Sequence, residues 1–535
     1  MAQEKTFVGI SFGTLNSSVS IVGKGGKGET IANEDGDRNI PTCVAFTDYE
    51  ELVGTQARVQ ANSNPRGTIF QFRNLVGKKY DDTEVQKHSS KLLANIVPFP
   101  QDESLPAYEV ETTPEEDAQP VTSHYTVADV TAKYFAKLKE TAEAYLGRSV
   151  EGVVVSTPVH FEEHEQNALR EAVVQAGFET VHLVHEPVAA ALAFDYNAKE
   201  IGNQSTKQDR TILVLDLGAH QFNATLLDSS NGLFSIVATH DDYALGGSQF
   251  DEVLLNFFKD EFRKKTRIDI SDNRKAVAKL RAACEQTKRM LSQKDSAPCH
   301  VESLYDGMDY NANMIRGRFE TLAEKLFTRC VDVVKNVLKE GGAAPTEVDE
   351  VLFVGGSARI PRFQSVIRSL FESETVFRTD LEPDEAISVG CATQAGLIAS
   401  QESEYDSAIA TEEVVRVPHL KKSVGLEGAD GVFVPIIPKR AAIPARRTIE
   451  ASNAVAKQSE IFLSVYEGDH AQAQENTLLG QIVLSDLPEA SKVGELRVQI
   501  TFQIERDEIL TVVAKEKTQG KELRVKFDKI THQHK

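Results

Sequence analysis

Between residues 5 and 400, short apolar runs alternate with longer stretches in which apolar positions recur every three or four residues, the signature of strands and amphipathic helices in turn. EGVVVSTP (151–158) predicts a buried strand. FEEHEQNALREAVVQAG behind it predicts a helix, with acids in its first turn and Gly177 as its stop. VHLVHEPVAAALAF and VLFVGGSARIPRFQSVIRSLF repeat the order strand, turn, helix, so residues 1–400 predict an α/β domain. The texture changes from about residue 419. In ELRVQITFQI the residues Leu496, Val498, Ile500, Phe502 and Ile504 share one face, and EIFLSVYEG and EILTVVAKE are similar strands divided by turn residues. Residues 419–535 therefore predict a separate all-β domain. The acidic, then extended stretch SQESEYDSAIATEEVVRVPHL between them predicts an interdomain linker at 401–418.

Two segments of the first domain match one another. GISFGTLNSSVSI (9–21) and LDLGAHQFNATLL (215–227) both read strand, turn, small polar residues, strand, with Ser11-Phe12-Gly13 over Asp216-Leu217-Gly218. Duplicated halves facing each other would place two hairpin turns on one cleft.

Composition narrows the partners. The chain has 535 residues, too many for one core, and 59 basic residues against 80 acidic ones give a formal charge of -21. Nucleic-acid affinity rests on Lys and Arg displacing counterions, so direct binding to RNA or DNA is not expected. Five scattered cysteines (Cys43, Cys284, Cys299, Cys330, Cys391) never form a C-x-x-C pair and suggest neither a disulfide framework nor a zinc site. No charged-then-apolar leader and no membrane-spanning run occur in the sequence, so a cytoplasmic location is expected.

No G-x-x-x-x-G-K-[ST] loop is present, and GKGGKGE (23–29) predicts a hairpin turn. HFEEH (His160 to His164) matches a zinc-protease string without an apparent third ligand, so no metal site is expected there. Three glycine turns carry more weight: Gly13-Thr14, Gly246-Gly247 in LGGSQFD, and Gly355-Gly356-Ser357 in VGGSARIP. Each can bring backbone N–H groups close to phosphate or ribose, the last by opening a helix, and together they predict a nucleotide cleft.

The ordered series VGISFGTLNSSVSI, VVVSTPVHFEEHEQNALREA, HEPVAAALAF, LDLGAHQFN, LGGSQFD, CEQTKRMLS, SLYDGMDYN, VLFVGGSARIP, PDEAISVGCATQAG and VYEGDHA resembles the DnaK-type seventy-kilodalton heat-shock chaperones over nearly the whole chain. That resemblance implies an actin-like ATP-binding domain with duplicated ribonuclease-H-like halves, followed by a β-sandwich domain. It matches Glu285, Lys288, Arg289 and Ser292 to the family's adenosine contacts, with Arg289 and Arg359 stacking on adenine. Gly355, Gly356, Ser357 and Asp384 also match, while Gly13, Thr14, Asp216, Gly218, Gly246 and Gly247 would remain around the phosphates. ATP is the implied cofactor.

The sequence departs from the family's pattern at the phosphate end. Ser11 stands for an Asp, Arg73 (in FRNLVG) for the catalytic Lys, Gln221 for a Thr, Asn223 for a second Asp, and Gln166 for the Arg of an interdomain relay that keeps Pro158 and Glu186. Phosphoryl transfer is catalysed mainly by positioning and charge, so these losses predict negligible hydrolysis, no catalytic residue, and weak or absent magnesium. No helical lid is expected after the last strand. Such departures resemble the atypical Ssz-type branch of the family, found in the fungal ribosome-associated complex. The branch implies a stable heterodimer with a zuotin-type J-domain protein, ribosome attachment through that partner, and service to a second, catalytic heat-shock chaperone, with nascent polypeptide as a candidate ligand of the β domain. The alternative is an independent slow ATPase that binds peptides by itself.

Overall fold

The computed structural model describes residues 5–527 except 24–27, 62, 90–93, 114–118, 201–208, 231–232, 405–419, 421, 429–430, 440, 442–444, 454, 456–457, 459, 486, 488–493, 495, 505–508 and 518–520. Most of the expected linker, the centre of the 23–29 turn, and the chain end on which the lid expectation rests lie outside the described residues. The chain divides into two compact units, Met1–Ala408 and Ile409–Lys535.

The first unit contains two sheets with the same connectivity. In one, Phe7–Ser11 runs antiparallel to Asn16–Val22, which pairs with Gly28–Thr30. On its other side it runs parallel to Gly152–Thr157, itself parallel to Thr180–His185. In the other sheet, Asp209–Leu217 plays the part of Phe7–Ser11: antiparallel to Phe222–Ser230, which pairs with Leu233–Asp242, and parallel to Glu350–Val354, itself parallel to Val376–Arg378. The turns 12–15 and 218–221 occupy equivalent places, as the internal match predicts. Central strands such as Gly152–Thr157 are buried along their whole length, which explains why they read as continuous rather than alternating apolar runs.

Each sheet's last strand leads on to a helix, Glu186–Glu200 in one lobe and Ala386–Glu404 in the other. These helices are rich in small residues because they approach each other closely. A Cβ on Gly390 would lie 1.8 Å from the Ala189 carbonyl oxygen, and one on Gly9 would lie 2.0 Å from Ala392 N. Around this crossing a single core takes Phe7 and Val154 from the first sheet, Ile212, Val214 and Leu352 from the second, and Ala189 and Cys391 from the helices. The crossing thereby ties the lobes together. The helix Ala386–Glu404 passes the expected linker start at 401 by four residues, because QESE (401–404) contains no glycine or proline to stop it.

The second unit holds two four-stranded antiparallel sheets around one core. Val498, Ile500, Phe502 and Ile504 are fully enclosed there, with Leu496 beside them, as period-two alternation predicts for a sheet with one buried face. All five cysteines are buried and free. No described helix is long and apolar enough to cross a membrane.

Candidate nucleotide cleft

The glycine turns of the second lobe meet at one place. The turn 218–221 closes through Gly218 N–H to the Gln221 carbonyl (3.1 Å). The Gly218 carbonyl then accepts from Gly247 N–H (3.0 Å) and from Ser357 Oγ (3.0 Å), while Ser248 N–H donates to the Ala219 carbonyl (2.8 Å). A Cβ on Gly247 would lie 2.4 Å from Ser357 Oγ and 3.0 Å from Lys288 Nζ. Gly355 adopts φ +83°, and a Cβ there would lie 2.4 Å from Asp216 Oδ1. Any side chain at these two positions would occupy the space in which Asp216, Gly218, Ser357 and Lys288 converge. Gly246 caps the helix Gly247–Thr266. Gly355 does not open a helix directly: a short 3-10 turn, Gly356–Arg359, intervenes and the helix starts at Pro361, where the fixed φ of proline favours the first helical position.

The helix Arg274–Gln293 carries Glu285, Lys288, Arg289 and Ser292 at three- and four-residue spacing, so they share a face. Arg289 is exposed and donates to Glu285 Oε1 (2.7 Å). Lys288 is buried instead, with Nζ on the Gly247 carbonyl (2.9 Å) and on Asp251 (2.9 Å), so it fastens the glycine turn to the helix. Ser292 Oγ donates back to the Lys288 carbonyl (3.4 Å). Arg359 pairs with Asp384 and with Glu382 (2.6 Å). Contacts that bridge the lobes at this end include Arg58 to Glu285 (3.0 Å), Asn39 to Asp384 Oδ2 (2.8 Å) and Arg38 to Glu385 (3.5 Å). Arg58 and Asn39 escaped sequence reasoning, their partners lying 227 and 345 positions away.

At the opposite end, Arg73 is buried, bonded to Glu186 and within 3.4 Å of Thr14 Oγ1. Its Nε has no hydrogen-bond partner. The Gly13 carbonyl accepts from Thr42 Oγ1 (2.8 Å), and Phe12 N–H, next to Ser11, donates to Ser156 Oγ (3.1 Å). Gln166 Nε2 donates to the Phe161 carbonyl (3.0 Å). In the altered turn, His220 bridges Gln71 (3.0 Å) in the first lobe and Ser248 (3.1 Å) in the second. Asn223 donates to Asp241 on the neighbouring strand and to Thr239 Oγ1 (3.1 Å). His160 packs edge-on to Tyr243 (5.3 Å), whereas His164 pairs with Glu162 (3.4 Å). Among the described residues no three or more His, Cys, Asp or Glu side chains are grouped to hold a metal ion directly.

Burial pushes the Glu186 carboxyl above its ordinary range despite Arg73 beside it, and Asp241 adds to the rise. Asp216 is pushed up to about 7, first by desolvation, then by the charge of Glu186, with Arg73 opposing and Asp241 adding a little more. In nucleotide-free protein the folded state therefore holds the Asp216 proton to a higher pH than the unfolded chain does, whose value is near 3.8. Stability from this group is complete below about pH 4 and is lost as pH rises toward 7. Asp216→Asn should then stabilise the empty protein at pH 8, on the order of a few kcal/mol, with the gain vanishing near pH 4. Urea unfolding in chelator across that range checks it; equal stability of the two proteins at pH 8 refutes it.

The Hsp70 protein family profile matches residues 7–535. The chain belongs to the Hsp70 family. It is 34% identical over 516 residues to heat shock cognate 70 kDa protein 3 of Dictyostelium discoideum, covering 96% of this chain and 79% of that protein. It is also 34% identical over 514 residues to a ribosome-associated molecular chaperone of Zygosaccharomyces rouxii, covering 96% of this chain and 80% of that one. Heat shock 70 kDa protein 2 of Paracoccidioides lutzii is 34% identical over 514 residues, with 96% and 75% covered. This Hsp70 is therefore a chaperone of a family whose fold is the ATP-binding domain and β-sandwich expected.

Family membership overturns one expectation. Hsp70 chaperones are ATPases, so the reading of this chain as a non-enzyme that binds ATP without hydrolysing it does not stand. The physical flaw in that reading was to count lost side chains by position, although positioning and charge can be supplied by other groups. Arg73 still sets a cation between Thr14 and Glu186, and Asp216 is kept. Hsp70 proteins bind ATP with magnesium, and the expectation of weak or absent magnesium has no support from this membership. The cleft fits such a ligand: the glycine cradle at Gly247 and Gly355 leaves room that a Cβ would fill, and the buried Arg73 Nε lacks a partner. Bound ATP supplies the phosphoanhydride; the protein binds and orients it.

Proposed function

We propose that this Hsp70 works in the cytoplasm as the Ssz-type subunit of a ribosome-associated complex, in a stable heterodimer with a zuotin-type J-domain protein, and assists a second, catalytic chaperone on nascent chains. The observation that carries this reading is the contrast within one cleft. The adenosine side keeps the family's residues, while Ser11, Gln221 and Asn223 at the phosphate turns and Gln166 at the relay depart from its usual pattern as the Ssz-type branch does. The formal charge of -21 fits a subunit that reaches the ribosome through a basic partner rather than by itself. Similarity to a chaperone named as ribosome-associated points to the same setting. Co-expression with a zuotin-type protein should yield a one-to-one complex by light scattering, and the chain should sediment with ribosomes only in that complex. Sedimentation of the chain alone, or the absence of a complex, refutes the reading.

In this proposal Arg289 and Arg359 hold adenine, with Glu285, Ser292 and Asp384 beside it, and Lys288 supports the glycine turn from below. ATP should raise the melting temperature of the wild type by mass action. Arg289→Ala combined with Arg359→Ala should abolish that rise, since both stacking planes are removed while both side chains are exposed and tolerate truncation. A thermal shift titration with ATP decides it, and undiminished protection places the base elsewhere.

One observation favours the second reading, an independent peptide-binding ATPase. Phe462 and Val483 are cross-strand partners on the outer face of a sheet of the second unit, and both are exposed. Exposed apolar pairs of this kind mark interaction surfaces. Capture of an unfolded peptide by the chain alone and its release on adding ATP, with no stable partner complex, would select it.

A further inference from the structure

The phosphate end of the cleft holds an acid that sequence matching passed over. Asp241 lies at the end of the strand Leu233–Asp242 and is the register partner of Asn223 on Phe222–Ser230. Asn223 in turn pairs with Asp216 on the central strand Asp209–Leu217. Positions 216, 223 and 241 thus form one row across three adjacent strands, with an amide between two carboxylates. The amide is held in place: its Nδ2 donates to Asp241 and to Thr239 Oγ1, and its Oδ1 accepts from Thr225 Oγ1 (2.8 Å). Asn223 therefore acts as a support that fixes the Asp241 carboxylate from one side.

Charge in this corner is unbalanced. Asp216, Asp241 and Glu186 all interact electrostatically, and Arg73 is the cation that acts on both Asp216 and Glu186. Glu186 takes the Arg73 guanidinium as its direct partner, which leaves two carboxylates at the phosphate end of the row. Arg73, only 4% exposed, keeps its Nε unpartnered in the same place. A buried donor without an acceptor beside two surplus carboxylates is an incomplete arrangement, one that a phosphate oxygen and a hydrated divalent cation together would complete.

Resting on the reading of this cleft as the ATP site, we propose that Asp241 is a positioning residue for the hydrated divalent cation that accompanies ATP, supplying from the neighbouring strand the carboxylate that the chain lacks at position 223. Asp216 and Asp241 then flank Asn223 as the paired acids of the phosphate end. The altered turn keeps its acid count by moving one carboxylate across a strand pair.

The test is calorimetric titration of the full chain with ATP, in magnesium and in chelator. Asp241→Asn retains an oxygen that can accept from Asn223, so the fold is preserved, yet it removes the charge. It should weaken binding of magnesium-ATP on the order of tenfold, while binding of metal-free ATP stays equal or becomes tighter because repulsion of the phosphates is relieved. A merely structural role would weaken both together. Moving the carboxylate back, with Asn223→Asp added to Asp241→Asn, should restore the magnesium dependence. Equal changes with and without magnesium, no change in either, or no rescue by the double variant overturns the proposal. Failure of the wild type to bind ATP at all overturns the cleft reading itself and the proposal with it.

Discussion

Gly390→Val should unfold the first unit under conditions in which the wild type is stable, a loss of more than about 4 kcal/mol. A Cβ at this position overlaps the Ala189 carbonyl at 1.8 Å, and that carbonyl belongs to helix backbone that cannot move aside alone. Relief requires separating Glu186–Glu200 from Ala386–Glu404, and with them the core that takes strands from both sheets. The damage is therefore not local. Gly317→Ala is the matched control: it lies in the helix Arg316–Leu322 with nothing within 4 Å of its added Cβ, and should change stability by less than about 0.5 kcal/mol. Urea unfolding followed by circular dichroism distinguishes them, and similar midpoints for the two variants would mean that the helix crossing is not what joins the lobes.

Glu186→Ala should cost about 3–5 kcal/mol, because it leaves the Arg73 guanidinium buried without its partner. The same energetics make a stringent companion prediction. Arg73→Met together with Glu186→Leu removes both charges, keeps the volume, and should recover most of the lost stability while ATP binding stays impaired. Denaturant midpoints for the single and double variants, read beside ATP titrations, complete the cycle. If the single variant is as stable as the wild type, the pair is not the keystone of the phosphate end that its burial implies.

Much of this was legible in the sequence. The face of 496–504 followed from alternation alone, because a strand with one side on a core must repeat every two residues. The helix 163–175 and the chain reversal at Gly177, φ +96°, followed from local propensities that need no partner. Even the equivalence of the turns at 12–15 and 218–221 could be read, since duplicated segments keep their order of strand and turn.

The cleft was less legible. Matching by motif named Lys288 as an adenosine contact but could not show that its ammonium rests on Asp251 and the Gly247 carbonyl, an outcome set by how two helices pack. The stretch THDD (239–242) before LGG contains Asp241, but nothing in those letters says that it faces Asn223, because register between strands is fixed by the whole hairpin. Reading the changes at 11, 73, 221 and 223 one position at a time also led to the wrong conclusion about catalysis, since an acid can be lost from one strand and stand on the next.

By itself, then, the chain's pattern of apolar, polar and glycine positions determined the strands, the helices, the all-β second unit and the glycine turns, because each depends on residues a few positions apart and on which side meets water. Tertiary structure alone decided which charges meet. Arg73 finds Glu186 across 113 positions, Arg58 finds Glu285 across 227, and Asp241 completes a row of three strands, because folding brings together side chains whose spacing along the chain carries no record of the encounter.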